Sequence, residues 1–206
     1  MEEKKEYIIK NAGTLYFRYG IRSVTMDDVA VELGISKKTL YEFFKDKEEL
    51  VKQSIAYYMK QPVVDFECQE DLNAIDKLFL YREYGMKMLR LYNNNLDFDL
   101  KRQYPEINEK LQAFKKEKIY QQNYSIIEQG IKEGLYRAEL NIDIISRLLV
   151  GRILLIFNHT TGIFSEDEIY GESLFDNIMD YHLHGICTEK GLEYYKQKLN
   201  NVQNES

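Results

Sequence analysis

Between Thr25 and Lys47, the run TMDDVAVELGISKKTLYEFFKDK gathers hydroxyls, ammonium groups and a phenol, with no histidine or cysteine among them. Lys37, Lys38, Lys45 and Lys47 supply donors suited to phosphate oxygens and guanine edges, while Thr25, Ser36, Thr39 and Tyr41 can both donate and accept. Such a set recognises a polyanion and does not make or break bonds. At helical spacing Leu40 and Phe44 share one face, which turns Lys37, Lys38, Thr39 and Tyr41 outward. A short helix with those residues at its N-terminal end suits the DNA major groove. Lys38 and Tyr41 are the expected readers of base edges. Thr25, Ser36, Lys37, Thr39 and Lys47 are the expected backbone anchors, with Lys45 beside them.

The elements that must position this set are readable nearby. Thr25 with Asp28 three residues later forms a capping-box pattern, so a helix is expected to begin there with Val29, Ala30 and Leu33 on its inner face. Gly34 gives the backbone freedom for a sharp turn, Ile35 buries beneath it, and Ser36 can cap the next helix. A generic helical hairpin would account for Gly34 and the apolar positions equally well. It would not account for the clustering of hydroxyls and lysines around one helix, nor for the small Ala30 where two helices approach. The reading is a helix-turn-helix.

The run Gly34 to Leu50, GISKKTLYEFFKDKEEL, resembles the recognition helix and start of the fourth helix of TetR/AcrR-type transcriptional regulators. Thr25 to Ala30 is similar to the start of that family's second helix, and the resemblance extends over about Tyr7 to Tyr58. It implies a dimeric, ligand-responsive regulator, a repressor above all, with an N-terminal DNA-binding head and a second domain that binds effectors and dimerises. Two positions depart from the family. Phe43 stands where Tyr or His commonly reaches a phosphate, so that contact is lost or passes to a neighbour such as Lys45. Lys38 replaces a frequent glycine with a side chain that reaches a base edge or a phosphate.

Charge agrees with this division of labour. The net charge is −6, yet residues 1 to 60 hold 11 Lys/Arg against 10 Asp/Glu and the remainder 17 against 24. Positive charge is therefore local, where a phosphate backbone could be tracked, and so weak a basic balance calls for two copies acting together. Two prolines, no tryptophan and no run of alternating β-branched residues favour an all-α fold. No segment approaches the ~18 apolar residues of a membrane span. The charged start MEEKKEY argues against secretion, and the widely spaced Cys68 and Cys187 form no metal or redox motif. A cytoplasmic, bacterial, nucleoid-associated location is expected. Phosphate-binding loops and nucleophile–base pairings are missing from the sequence, so no enzyme is expected and no cofactor.

The expected organisation is a head of three helices plus a connecting fourth over residues 1–60, and a larger helical bundle over 61–206. Helices are expected over Glu3–Tyr19, from Asp46 to Met59, Leu72–Tyr92, around Asp97–Gln103, and from Pro105 to Glu133. Asn141 or Asp143 starts another, Ser165 with Glu168 a further one running through Leu183, and the polar tail from Thr188 is expected as a loose, fraying helix. The helices near 141–160 and 168–186 are apolar over more than one stripe, as helices facing both a core and a second subunit must be. Tyr81, Tyr84, Met88, Tyr92, Tyr104, Phe114, Tyr120 and Tyr124 are the candidate lining for a small apolar or aromatic effector. His182 and His184 fall on different faces of a helix and His159 has no partner motif, so no metal site is expected. The competing reading is a DNA-associated scaffold that uses the same head but binds a protein partner in place of a small molecule.

Overall fold

In a computed structural model, which describes residues 2–61, 71–91, 94–156 and 162–204, the chain is all-α. The helices are α1 Glu2–Tyr19, α2 Met26–Glu32, α3 Lys37–Phe43, α4 Lys47–Lys60, α5 Ala74–Leu91, α6 Asn94–Gln103, α7 Pro105–Lys132, α8 Ile142–Ile156, α9 Glu166–Tyr170, α10 Glu172–Ile186 and α11 Glu189–Asn204. Among the described residues, none of these helices is long and apolar enough to cross a membrane. His159 and Cys68 lie outside the described residues, as do Tyr92 and the side chain of Met88.

Two compact units divide the chain, Met1–Val63 with Leu91–Lys115, and Val64–Arg90 with Lys116–Ser206. In the first, Ile8, Ala12 and Tyr16 recur one turn apart on α1 and are fully buried. They meet Leu50, Val51 and Ile55 of α4, and the Ser54 hydroxyl fastens the two helices by donating to Ile9 O at 3.0 Å. Leu96 and Leu100 of α6 and Leu111 of α7 complete this core. The head expected at residues 1–60 thus gains a floor from residues far along the chain. Asp99, itself buried, accepts from the Arg22 backbone N–H at 2.7 Å and fixes the turn between α1 and α2 to α6.

In the second unit, Ala74, Ile75 and Phe79 of α5 pack with Ile126 and Ile127 of α7, Leu183 and Ile186 of α10 and Tyr195 of α11. Asn141, of the two residues offered by the sequence, is the one that caps α8: its Oδ1 accepts from Ile144 N at 3.0 Å. Two expectations are corrected here. The Ser165–Glu168 capping box forms, but the helix it opens stops at Tyr170, because Gly171 is extended (φ −78°, ψ 148°) and α10 restarts after it. The tail is a packed element and not a fraying one. Tyr195 is buried, Thr188 donates its hydroxyl to Gly134 O and its backbone N–H to Leu135 O at 2.9 Å, and Asp76 of α5 receives Tyr194 OH and Lys198 Nζ, each at 2.9 Å. A β-bridge between Tyr136 and Cys187 completes the junction. Burial pushes the Cys187 thiol up to about 12, which makes it an inert core group.

His184 is exposed, with Nδ1 2.9 Å from Asp180 O, whereas His182 is half-buried. Burial, and then the positive charge of Arg152, hold its pKa down at about 4 from 6.5. A base depressed on folding is stabilising in its neutral form. Its contribution is therefore complete above about pH 6.5 and is lost as pH falls through 4. Discounted for partial exposure, this amounts to about 2 kcal/mol. Urea midpoints measured from pH 7 to 4.5 should fall more steeply for the natural protein than for His182→Gln; parallel profiles would remove His182 from the acid response.

Candidate nucleic-acid interface

The turn between α2 and α3 is built by the backbone. Gly34 adopts φ +62°, its N–H donates to Val31 O at 3.1 Å, and Ile35 N donates to Ala30 O at 3.0 Å. These paired bonds are the Schellman arrangement, which satisfies the last carbonyls of α2 while reversing the chain. At its start, α2 carries the full capping box. Asp28 N donates to the Thr25 hydroxyl at 3.1 Å, and Thr25 N donates to the Asp28 carboxylate at 2.8 Å. The hydroxyl of Thr25 also donates to that carboxylate at 2.7 Å, and these bonds hold the Asp28 pKa down. Ser36 caps α3 by accepting from Thr39 N at 3.0 Å. Each such cap is worth about 1 kcal/mol.

Leu40 and Phe44 are fully buried and anchor α3 by one face. The opposite face presents Lys38 and Tyr41, three residues apart, and Lys45 follows just beyond the end of the helix, after the extended Phe44. Tyr41 is 45% exposed, and the Lys45 side chain 85%. Among the described residues, Lys38 has no ion-pair partner and the Tyr41 hydroxyl no hydrogen-bond partner. Lys45 Nζ lies 3.9 Å from Asp46, at the edge of an ion pair in solvent. These three are the groups left free for an incoming ligand.

The other expected contacts are engaged within the protein. Ser36 and Thr39 share a hydroxyl–hydroxyl bond of 2.8 Å, and Thr25 is held by Asp28 as described. Lys37 Nζ lies 2.7 Å from one oxygen of Asp27 and 2.9 Å from the other, bridging α2 and α3. Lys47, at the start of α4, is half-buried and donates to Ile21 O at 2.6 Å. Burial lowers its pKa, and the opposing pull of Asp99 and Asp28 does not offset this. Phe43 packs against the first core and not outward, which places the phenylalanine departure inside the head.

Two residues not singled out from the sequence take part in this surface. Asp27, ten residues before Lys37, is one. Lys5 is the other: its Nζ stands 5.6 Å from the centre of the Phe44 ring and brings the first turn of α1 to the end of α3. Neither carries a local sequence signal, since both contacts arise when separate helices pack.

The described candidate effector residues are divided between the two units. Tyr104 packs against the first core and Phe114 belongs to the first unit, while Tyr81, Tyr84, Tyr120 and Tyr124 belong to the second. Tyr81 and Tyr84 are half-buried, and burial raises both phenols. Tyr120 donates to Asp143 at 2.9 Å and its ring lies 6.0 Å from that of Tyr124.

Residues 8–53, which contain the capping box, the turn and α3, match the model for bacterial regulatory proteins of the tetR family. Among curated relatives, the uncharacterised helix-turn-helix-type transcriptional regulator YerO of Bacillus subtilis is 29% identical over 81% of this chain, which spans 61% of YerO's length. A transcriptional regulator from Cytophaga hutchinsonii shares the fold at a TM-score of 0.70 and 22% identity, over 90% of this chain and 99% of its own. CprB from Streptomyces coelicolor, solved with its operator sequence, does so at 0.60 and 15%, over 100% and 98%. The anchored α3 and the Schellman turn that sets its angle lie inside the segment that matches the tetR family of bacterial regulatory proteins, and the fold is similar to that of solved transcriptional regulators.

Proposed function

We propose that the protein is a sequence-specific transcriptional repressor that binds a palindromic operator as a homodimer and is released by a small apolar or aromatic effector. The observation that carries this reading is α3 itself. Leu40 and Phe44 fix it in the core, while Lys38 and Tyr41 stand free on its exposed face and Lys45 is exposed just past its end. Lys38 and Tyr41 are assigned to base edges and Lys45 to a phosphate, with the engaged hydroxyls of Thr25 and Ser36 at the two helix starts as secondary contacts. One such helix reads only a few base pairs, so useful affinity needs a second copy one helical turn away.

The second copy is assigned to α8 and α10. Ile144, Leu148 and Leu155 of α8 are 47%, 64% and 43% exposed, and Tyr181 of α10 is 78% exposed. Ile144, Leu148 and Leu155 line an open concavity of about 630 Å³ with Arg147, Gly151 and Arg152. Arg152 is half-buried, and its Nε has no acceptor among the described residues. An apolar stripe with one unsatisfied donor is what a partner subunit covers and completes.

For the effector, the reading narrows to the second unit, where Tyr81 and Tyr84 of α5 flank Gly85. A Cβ built on that partly exposed glycine meets nothing within 4 Å among the described residues, so the helix surface next to Tyr84 is open there. A filled second unit that binds a protein partner is the competing reading. Raised melting temperature and weakened operator binding with a hydrophobic compound library would support the effector.

The test of the main reading is binding to DNA from upstream of the protein's own gene against a scrambled sequence at moderate salt. Preference for the former is expected, and equal affinity would overturn sequence-specific regulation. Tyr41→Ala should weaken operator binding by about tenfold without lowering the melting temperature, in line with ~1–3 kcal/mol for a good base contact. Unchanged operator affinity would remove Tyr41 from the interface.

A further inference from the structure

Lys37 and Asp27 meet inside the surface assigned to DNA, and that pairing has its own consequence. The ammonium of Lys37 is held by both carboxylate oxygens, at 2.7 and 2.9 Å, with the two side chains 55% and 60% exposed. The contact raises the Lys37 pKa, chiefly through its hydrogen bond to Asp27. Lys37 stands at the first position of α3, where the positive end of the helix dipole disfavours a cation. The helix dipole therefore gives no reason for a lysine there, whereas a phosphate facing α3 does. A carboxylate that grips this lysine at hydrogen-bonding distance occupies the place a phosphate oxygen would take.

We propose that Asp27 is a phosphate mimic within the DNA interface, competing with the nucleic-acid backbone for Lys37 and thereby setting the sequence-independent part of the affinity. The inference rests on the DNA-binding reading above. For Lys37 to neutralise a phosphate it must leave Asp27, and the freed carboxylate then lies near the backbone as a like charge. The pair thus adds no net charge to the surface and releases no counterion on binding, leaving Lys38 on α3 and Lys45 just beyond it as the exposed cations. Base-edge reading by Lys38 and Tyr41 does not pass through this pair, so the effect falls equally on operator and unrelated DNA.

Asp27→Asn keeps the shape and removes the charge. Binding of this variant to operator and to scrambled DNA, titrated from 50 to 200 mM salt, is expected to tighten for both by a similar factor. The plot of log K against log salt should steepen by about 0.9 per head, equal to about 3.5-fold more salt sensitivity per head across that range. The gain should vanish in the Asp27→Asn, Lys37→Gln double variant. An unchanged slope in Asp27→Asn overturns the proposal. So does an equal gain in the double variant, which would mean long-range charge and no release of Lys37. Weaker operator binding with a lowered melting temperature, in Asp27→Asn and Asp27→Ala alike, would make the pair a clamp between α2 and α3 instead. Failure of the natural protein to prefer its operator would sink the DNA-binding reading itself, and that outcome is separate from all three.

Discussion

Gly191→Ala is expected to destabilise the second unit by about 2–3 kcal/mol, the upper range for forcing extra atoms into a packed site. A Cβ on Gly191 would stand 2.1 Å from Leu135 O, 3.0 Å from Leu135 C and 3.2 Å from Cys187 Cβ. The nearest atom is backbone, so no rotamer change relieves it. Nor can that carbonyl withdraw freely, since it accepts from Thr188 N at 2.9 Å and from the Thr188 hydroxyl at 3.2 Å. The Gly191 N–H in turn donates to that hydroxyl at 3.2 Å, closing the first turn of α11. Relief requires α11 to pull away, and with it the buried Tyr195 and the bonds of Tyr194 and Lys198 to Asp76. Chemical denaturation followed by circular dichroism reads the effect directly. An unchanged midpoint would mean that α11 swings clear at no cost, the behaviour of a loose tail.

Gly151→Leu should convert the protein to a monomer and lower operator affinity on the order of a hundredfold or more, because a single head reaches only a half-site. Gly151 lies in the interior of α8, where glycine costs about 1 kcal/mol relative to alanine. Among the described residues nothing calls for it there, since a Cβ would meet no atom within 4 Å. Ile144, Leu148 and Leu155 surround it at spacings of seven, three and four residues, one stripe of the helix. A glycine at the middle of an exposed apolar stripe lets another backbone approach closely. The leucine variant is expected to fold as well as the natural protein, so loss of the dimer in light scattering would not be confounded by unfolding. A dimer of unchanged operator affinity would remove α8 from the subunit contact.

Local features of this fold were legible in the sequence because their partners lie within four residues. Thr25 with Asp28, Ser36 with Thr39, and Ser165 with Glu168 are complete at that range, and each forms. Asp46 with Glu49 was half legible: Asp46 accepts from Glu49 N at 2.9 Å, but Glu49 returns to the N–H of Lys45 at 2.8 Å and not to Asp46. The break at Gly171 was hidden, since an amphipathic pattern continues across it. The packing of α11 was hidden too, because Tyr194, Tyr195 and Lys198 find their partners across the chain while their neighbours are polar. The site shows the same division. The outward face of α3 follows from helical spacing alone, so Lys38 and Tyr41 could be named in advance. The pairing of Lys37 with Asp27 and the inward pull on Lys47 depend on how α2, α4 and the turn at Ile21 pack together, and spacing along one helix does not report them. Likewise, the tyrosine-rich middle of the chain gave no sign that Tyr104 and Phe114 would join the first unit.

The closure of the second core across Asp76 and Tyr194, 118 residues apart, sets an order for assembly during synthesis. The first unit has every residue of its core once Leu111 has been made, and its turn and caps are local. The second has Phe79 and Ile126 long before Leu183 and Tyr195, and the Lys198 ammonium arrives last. Until these are made, a half-built apolar face persists on a chain whose other unit is already complete. A ribosome halted beyond residue 115 but before 188 would release a protein able to complete its first core but not its second.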